Sequence, residues 1–108
     1  MFGWWLIRVR GRSMEPTLCD GDHVLVRRPG RWRPARPGDV VCIRREGEAQ
    51  LIKRLGRRTP GGGFHLSGDG AVSAPSVDLG TVGREQIVAR AILRISDRGV
   101  HFIRSRPV

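Results

Sequence analysis

Lysine is almost missing from this chain of 108 residues: Lys53 stands alone among nineteen arginines. Arginine stays protonated at any usable pH, so Lys53 is the one amine side chain that burial can neutralise and turn into a base. Arginine-rich coding alone would explain the composition, but Lys53 is flanked by Leu51, Ile52 and Leu55. Such apolar neighbours lower an amine pKa by desolvation. Cysteine is nearly as scarce. Cys19 and Cys42 are too few and too far apart for a C-x-x-C metal or redox motif, and they are expected as free thiols, with a single disulfide left open. His23, His65 and His101 are isolated from one another and from both cysteines, which excludes zinc-ligand spacing; no metal and no cofactor are expected.

Long apolar runs are absent too. The opening Met1-Phe2-Gly3-Trp4-Trp5-Leu6-Ile7 is broken by Arg8 and Arg10, is far too short to span a bilayer, and lacks a basic leading segment or a small-residue cleavage site. The expectation is a cytoplasmic protein, neither secreted nor membrane-spanning. Trp4 and Trp5 fit either the cap of a small core or a peripheral contact with a membrane interface. The formal charge of +10 raises nucleic acid or an anionic membrane as a partner. The arginines are spread along the whole chain, with no helical basic stripe and no aromatic-basic interleaving, so a solvated basic surface is expected and no nucleic acid partner.

What the chain does have is short hydrophobic runs rich in valine and isoleucine, separated by Gly, Pro and Asp clusters. That is the pattern of a mainly β domain. Strands are predicted at residues 4–10, 23–28, 40–45, 50–55, 64–67, 87–95 and 100–104, with a polar loop at 29–38 holding Trp32 and a glycine turn at 59–63. Ser96-Asp97-Arg98-Gly99 supplies hairpin turn residues between the last two strands. The length suits a single domain, residues 1–108, with 1–7 as an apolar first strand. Ser13 opens a segment in which Glu15-Pro16-Thr17-Leu18 can form one helical turn, with backbone N–H groups pointing past the hydroxyl toward a developing oxyanion.

Five segments in order carry a resemblance. Gly11-Arg12-Ser13-Met14-Glu15-Pro16-Thr17-Leu18 resembles the nucleophile box of type I signal peptidases, and Gly21-Asp22-His23-Val24 the box after it. Arg36-Pro37-Gly38-Asp39-Val40-Val41 resembles the Pro-Gly-Asp-Val-Val box, Leu51-Ile52-Lys53-Arg54 the lysine box, and Gly68-Asp69-Gly70 the Gly-Asp-Asn box. The resemblance implies a small β-barrel or sandwich of coiled antiparallel sheets, with Ser13 as nucleophile and Lys53 as general base. It implies that the Ser13 N–H, in a segment with Gly11 and Met14, supports the oxyanion, and that Ser73, with Ser76 as rival, hydrogen-bonds the lysine. Gly11 stands where some members carry a second hydroxyl donor, which is lacking here. Gly70, Pro75 and Val77 depart from the family pattern and remove a supporting salt bridge. Within the family the chain is most similar to the short maturation proteases of nickel-type superoxide dismutase, which implies removal of an N-terminal leader or signal peptide from a precursor protein as the task, with a general signal peptidase acting at the membrane as the alternative.

Other readings of the same residues are weaker. Self-cleaving repressor domains share the Ser-Lys chemistry and a related β fold, but only twelve residues precede Ser13, and none reads as a DNA-binding helix-turn-helix or a cleavage loop. Pro16-Thr17 and Gly68-Asp69 also favour the signal peptidases. A basic β-barrel binding nucleic acid uses the charge but leaves the spacing of the boxes to coincidence. A triad through His65 and Asp69 is disfavoured with Lys53 in place; His65 is expected on a strand facing solvent, Met14 in the core or a pocket wall, and His23 on an edge strand.

Overall fold

Val, Ile and Leu at alternate positions favour extended backbone, because branched side chains pack well on a pleated, half-buried surface. The computed structural model describes residues 3–31, 33–70 and 80–107. Eight strands follow in chain order: β1 Trp4–Arg8, β2 His23–Arg27, β3 Val40–Ile43, β4 Leu51–Arg58, β5 Phe64–Ser67, β6 Thr81–Val82, β7 Ile87–Ser96 and β8 Gly99–Phe102, with a 3-10 turn at Arg84–Gln86 leading into β7. All pair antiparallel in one sheet ordered β1-β2-β7-β3-β4-β5-β6, with β8 added to β7. The domain is therefore mainly β, as the periodicity implies, but the sheet does not close into a barrel. Residues Arg90 to Ile95 of β7 pair with β2, while Ile87 to Arg90 pair with β3 and Leu93 to Ser96 with β8. Two strands thus share one edge of β7, end to end.

The core lies on both faces of the sheet. β3 is buried throughout, and its pleat sends Val40 and Cys42 into a cluster with Met14, Leu18, Val24 and Val26, while Val41 and Ile43 enter a second cluster with Leu55, Phe64 and Val82. Each fully buried Val, Leu, Ile or Phe contributes about 1.5–3 kcal/mol of transfer free energy. Phe64 has no exposed surface, and the guanidinium groups of Arg84 and Arg58 stand 5.2 and 5.7 Å from its ring centroid.

Several strand limits differ from the sequence expectation. β4 runs past Leu55 to Arg58 through an irregularity in its pairing with β5, and β1 stops at Arg8, where Val9 turns to bond with the Asp22 carbonyl and the Gly21 N–H. β6, only two residues long, gives no periodic signal. His23 does not sit on an edge strand, since β1 and β7 flank β2 on either side. Gly38 has φ +93, and a Cβ there would lie 1.9 Å from the Arg106 carbonyl oxygen, so the segment after β8 can close against β3 only over a glycine.

Candidate functional site

A groove of about 250 Å³ opens between the end of β1 and the start of β4. It is lined by residues 7–11, Ser13 and Met14 on one side and Gln50, Leu51, Ile52 and Lys53 on the other. Ser13 and Lys53, forty residues apart in sequence, thus line one cavity, and both are half-buried. Burial pushes the Lys53 amine below its ordinary value. Among the described residues, β1 is a terminal strand of the sheet, and β4 begins pairing with β5 only at Arg54, so backbone edges of both strands border the groove.

The turn that carries Ser13 is held from several directions. The Leu18 N–H donates to the Met14 carbonyl at 2.9 Å, closing one α-type turn, and the Glu15–Pro16 peptide is cis. Met14 is buried in the core as well as lining the groove. Gly11, at φ +87, donates its N–H to Asp20 Oδ1 at 2.8 Å. Asp22 accepts from the Cys19 N–H at 2.8 Å and from Arg94 Nε at 2.7 Å, which ties the end of the turn to β7. Gly21 takes φ +89 and donates to the Val9 carbonyl. On the far side, the Gly70 N–H donates to the Ser13 carbonyl at 2.8 Å, and a Cβ on Gly70 would come within 2.5 Å of the Arg12 carbonyl oxygen. Glycine at 70 therefore allows the 68–70 loop to lie directly against the Ser13 backbone.

Beneath this contact lies a buried ionic network. Arg54, next to Lys53 on β4, reaches Asp69 through Nη2–Oδ2 at 2.5 Å and Nε–Oδ1 at 3.1 Å, with the two side chains 6% and 3% exposed. Its remaining Nη1 donates to the carbonyls of Gly38 at 2.8 Å and Arg104 at 2.9 Å. Thr17, four residues after Ser13, donates its hydroxyl to Asp69 Oδ2 at 2.5 Å. Arg106 adds an ion pair to Asp69 at 3.7 Å and a hydrogen bond to Thr17 Oγ1 at 3.3 Å. Burial alone would raise the Asp69 carboxyl, but the bonds from Arg54 and Thr17 outweigh it and hold the group below its ordinary value. Asp39 is built alike: burial is overcome by Arg33, Ser105 and the Arg36 N–H, with Arg33 bidentate at 2.9 and 3.0 Å.

The network joins the serine turn, the lysine strand and the 68–70 loop, and sequence reasoning missed two of its members. Thr17 was visible within the Ser-Met-Glu-Pro-Thr-Leu run; nothing local to Arg106 signals a partner 89 residues away. Ser73 and its rival Ser76 lie outside the described residues, as does Trp32. His65 is an exposed strand residue. Trp5 packs on the core, and Trp4 lies under the Arg27 guanidinium, 4.9 Å from its ring centroid. Cys19 and Cys42 are free thiols, the second fully buried with its pKa raised by burial to about 12. Among the described residues no three His, Cys, Asp or Glu side chains gather as metal ligands, and no helix is long and apolar enough to cross a membrane.

A family model described as Peptidase S24-like matches residues 4–78. The LexA repressor of Thermotoga neapolitana is 50% identical over 50 residues, covering 45% of this chain and 24% of the repressor. Those of Thermotoga sp. strain RQ2 and Thermotoga maritima are 48% identical over 50 residues, with the same coverage. The match spans about a quarter of each repressor's length. These findings overturn the assignment to type I signal peptidases, and with it the removal of signal peptides and the maturation of nickel superoxide dismutase. The serine and lysine boxes report chemistry that self-cleaving repressor domains share, a serine turn followed by a lysine strand, and so they do not separate the two families. The expectation that excluded nucleic acid is overturned as well, because these relatives are named as repressors.

Proposed function

Because this chain belongs to the Peptidase S24-like family, we propose that it is a serine-type peptidase domain in which Ser13 is the nucleophile and Lys53 the general base. The observation that carries this reading is the shared groove, with a serine on one wall and the chain's single, desolvated lysine on the other. Neutral Lys53 takes the proton of the Ser13 hydroxyl as Oγ attacks the scissile carbonyl. The oxyanion is met by the Ser13 backbone N–H, and the Lys53 ammonium then returns its proton to the leaving amine. Water, deprotonated by the same lysine, hydrolyses the acyl-enzyme. The strand edges beside the groove suit a substrate bound as an added extended strand, which would present its carbonyl to Ser13. Since the relatives are LexA repressors, the segment cut is a stretch of a repressor polypeptide, either this one or another copy, in the cytoplasm.

The test is cleavage of a peptide library read by mass spectrometry, with the wild type, Ser13→Ala and Lys53→Arg compared from pH 6 to 10. Lys53→Arg keeps the charge and removes the base. Cleavage by the wild type alone, rising with pH as Lys53 deprotonates through its lowered pKa, supports the reading; cleavage that survives in Lys53→Arg refutes it. A second reading rests on the +10 charge and the repressor relatives: the domain also associates with nucleic acid. Its signature is binding to duplex DNA that weakens steeply with salt and does not depend on Ser13.

A further inference from the structure

One face of the sheet carries an apolar row that, among the described residues, is exposed at both ends and half-buried in the middle. Leu6 on β1 pairs with Leu25 on β2, Leu25 with Leu93 on β7, and Leu93 with Phe102 on β8. Directly paired residues of antiparallel strands point to the same face, so the four side chains form one line across four strands, about 14 Å long at the usual strand spacing. Leu6 is 57% exposed and Phe102 77%, and Val100 beside the row is 60% exposed. Leu6 points away from its neighbours Trp5 and Ile7, which pack on the core, and none of the four residues of the row lines the Ser13 groove, although Arg8 borders both.

The row runs between basic positions. Arg27 pairs with Arg90 on one flank, and Arg8 lies on the other. The strands β1, β2, β7 and β8 contain no carboxylate. The Nε of Arg90 is buried without a hydrogen-bond partner. Asp39, a carboxylate that acts on it, is already bound by Arg33, Ser105 and the Arg36 N–H. A second copy placed on this face by a two-fold axis would set arginine rows against arginine rows. Nucleic acid would satisfy the arginines and leave Leu6 and Phe102 against a polar backbone. An acidic helix satisfies both, because a ridge of leucines at i, i+4, i+7 and i+11 matches the length of the row while flanking carboxylates reach the arginines.

We propose that this face docks an acidic amphipathic helix of a partner protein, its apolar ridge along Leu6, Leu25, Leu93 and Phe102 and its carboxylates over Arg27 and Arg90. The probe is a fluorescent synthetic 15-residue helix with that leucine ridge and glutamate flanks, titrated onto the whole chain, beside the same peptide with lysine flanks. The glutamate peptide binds and the lysine peptide does not. Phe102→Ser weakens binding about tenfold or more, as expected for an aromatic anchor, and Leu6→Ser, also at an exposed position, gives an independent reading of the same ridge. The Arg27→Gln/Arg90→Gln double variant weakens it too. Equal binding of both peptides, no binding of either, or indifference to Phe102→Ser and Leu6→Ser overturns the proposal. So does sedimentation equilibrium showing a dimer that Phe102→Ser dissociates, or displacement of the peptide by duplex DNA.

Discussion

Replacing Asp69 with asparagine keeps the shape of the side chain and removes its charge. Arg54 would then remain buried at 6% exposure with its charge unpaired, facing the Gly38 and Arg104 carbonyls and one amide oxygen, and the new NH2 group would set a donor against Arg54 or Thr17. Breaking a buried ion pair from one side costs about 3–5 kcal/mol, against a total of roughly 5–15 kcal/mol for a domain of this size. In urea at pH 7 the midpoint should fall by roughly 2–3 M, taking a slope near 1.5 kcal/mol/M. The pH dependence gives a second check. Because the folded carboxyl is held below its ordinary value of 3.8, its contribution is complete above that pH and is lost as pH falls through the lowered value. The gap between wild type and Asp69→Asn should therefore close in acid. Pairing Arg54→Met with Asp69→Leu should recover most of the loss, leaving a deficit of about 1 kcal/mol for the orphaned Arg104 carbonyl, since the Gly38 carbonyl keeps the Arg106 N–H. A loss under about 1 kcal/mol at pH 7, or a gap that does not narrow as the pH is lowered into the range where the domain acid-unfolds, would refute the network as a source of stability.

Two further outcomes are expected. Gly70→Ala should force the Arg12–Ser13 backbone to shift, because its Cβ would sit 2.5 Å from the Arg12 carbonyl oxygen; kcat for peptide cleavage should drop by about a hundredfold with the urea midpoint little changed. Cys42, buried and pushed up to about 12, should resist iodoacetamide at pH 8 while half-buried Cys19 is alkylated, and both should react in urea. Equal labelling of the two thiols in the native protein would contradict the burial of Cys42.

The strands were legible because alternation encodes the face each residue takes, and β3 shows the limiting case in which both faces are buried and the run becomes continuously apolar. Lys53 was legible by scarcity, and Ser13 by the glycine, proline and threonine around it. What composition could not convey was reach. Asp69 is a lone carboxylate in a glycine-rich run, and only folding brings it against Arg54, Thr17 and Arg106. The exposed row on β1, β2, β7 and β8 was equally hidden, since each strand contributes a single residue and the line exists only in the register. The family was misjudged for a related reason: boxes that specify a serine turn and a lysine strand describe the chemistry, and that chemistry is shared.

The position of β7 between β2 on one edge and β3 and β8 on the other has a consequence for how the chain assembles. The hairpins β1–β2 and β3–β4 can form from neighbouring sequence, but they meet only through residues 87–96. Until those residues have left the ribosome, Val24, Val26, Val40 and Cys42 have no common strand to pack beside. Folding is then governed by the search for distant pairings, which makes it slow relative to helical domains of the same length, and the nascent chain must carry its open strand edges until residues 87–96 emerge.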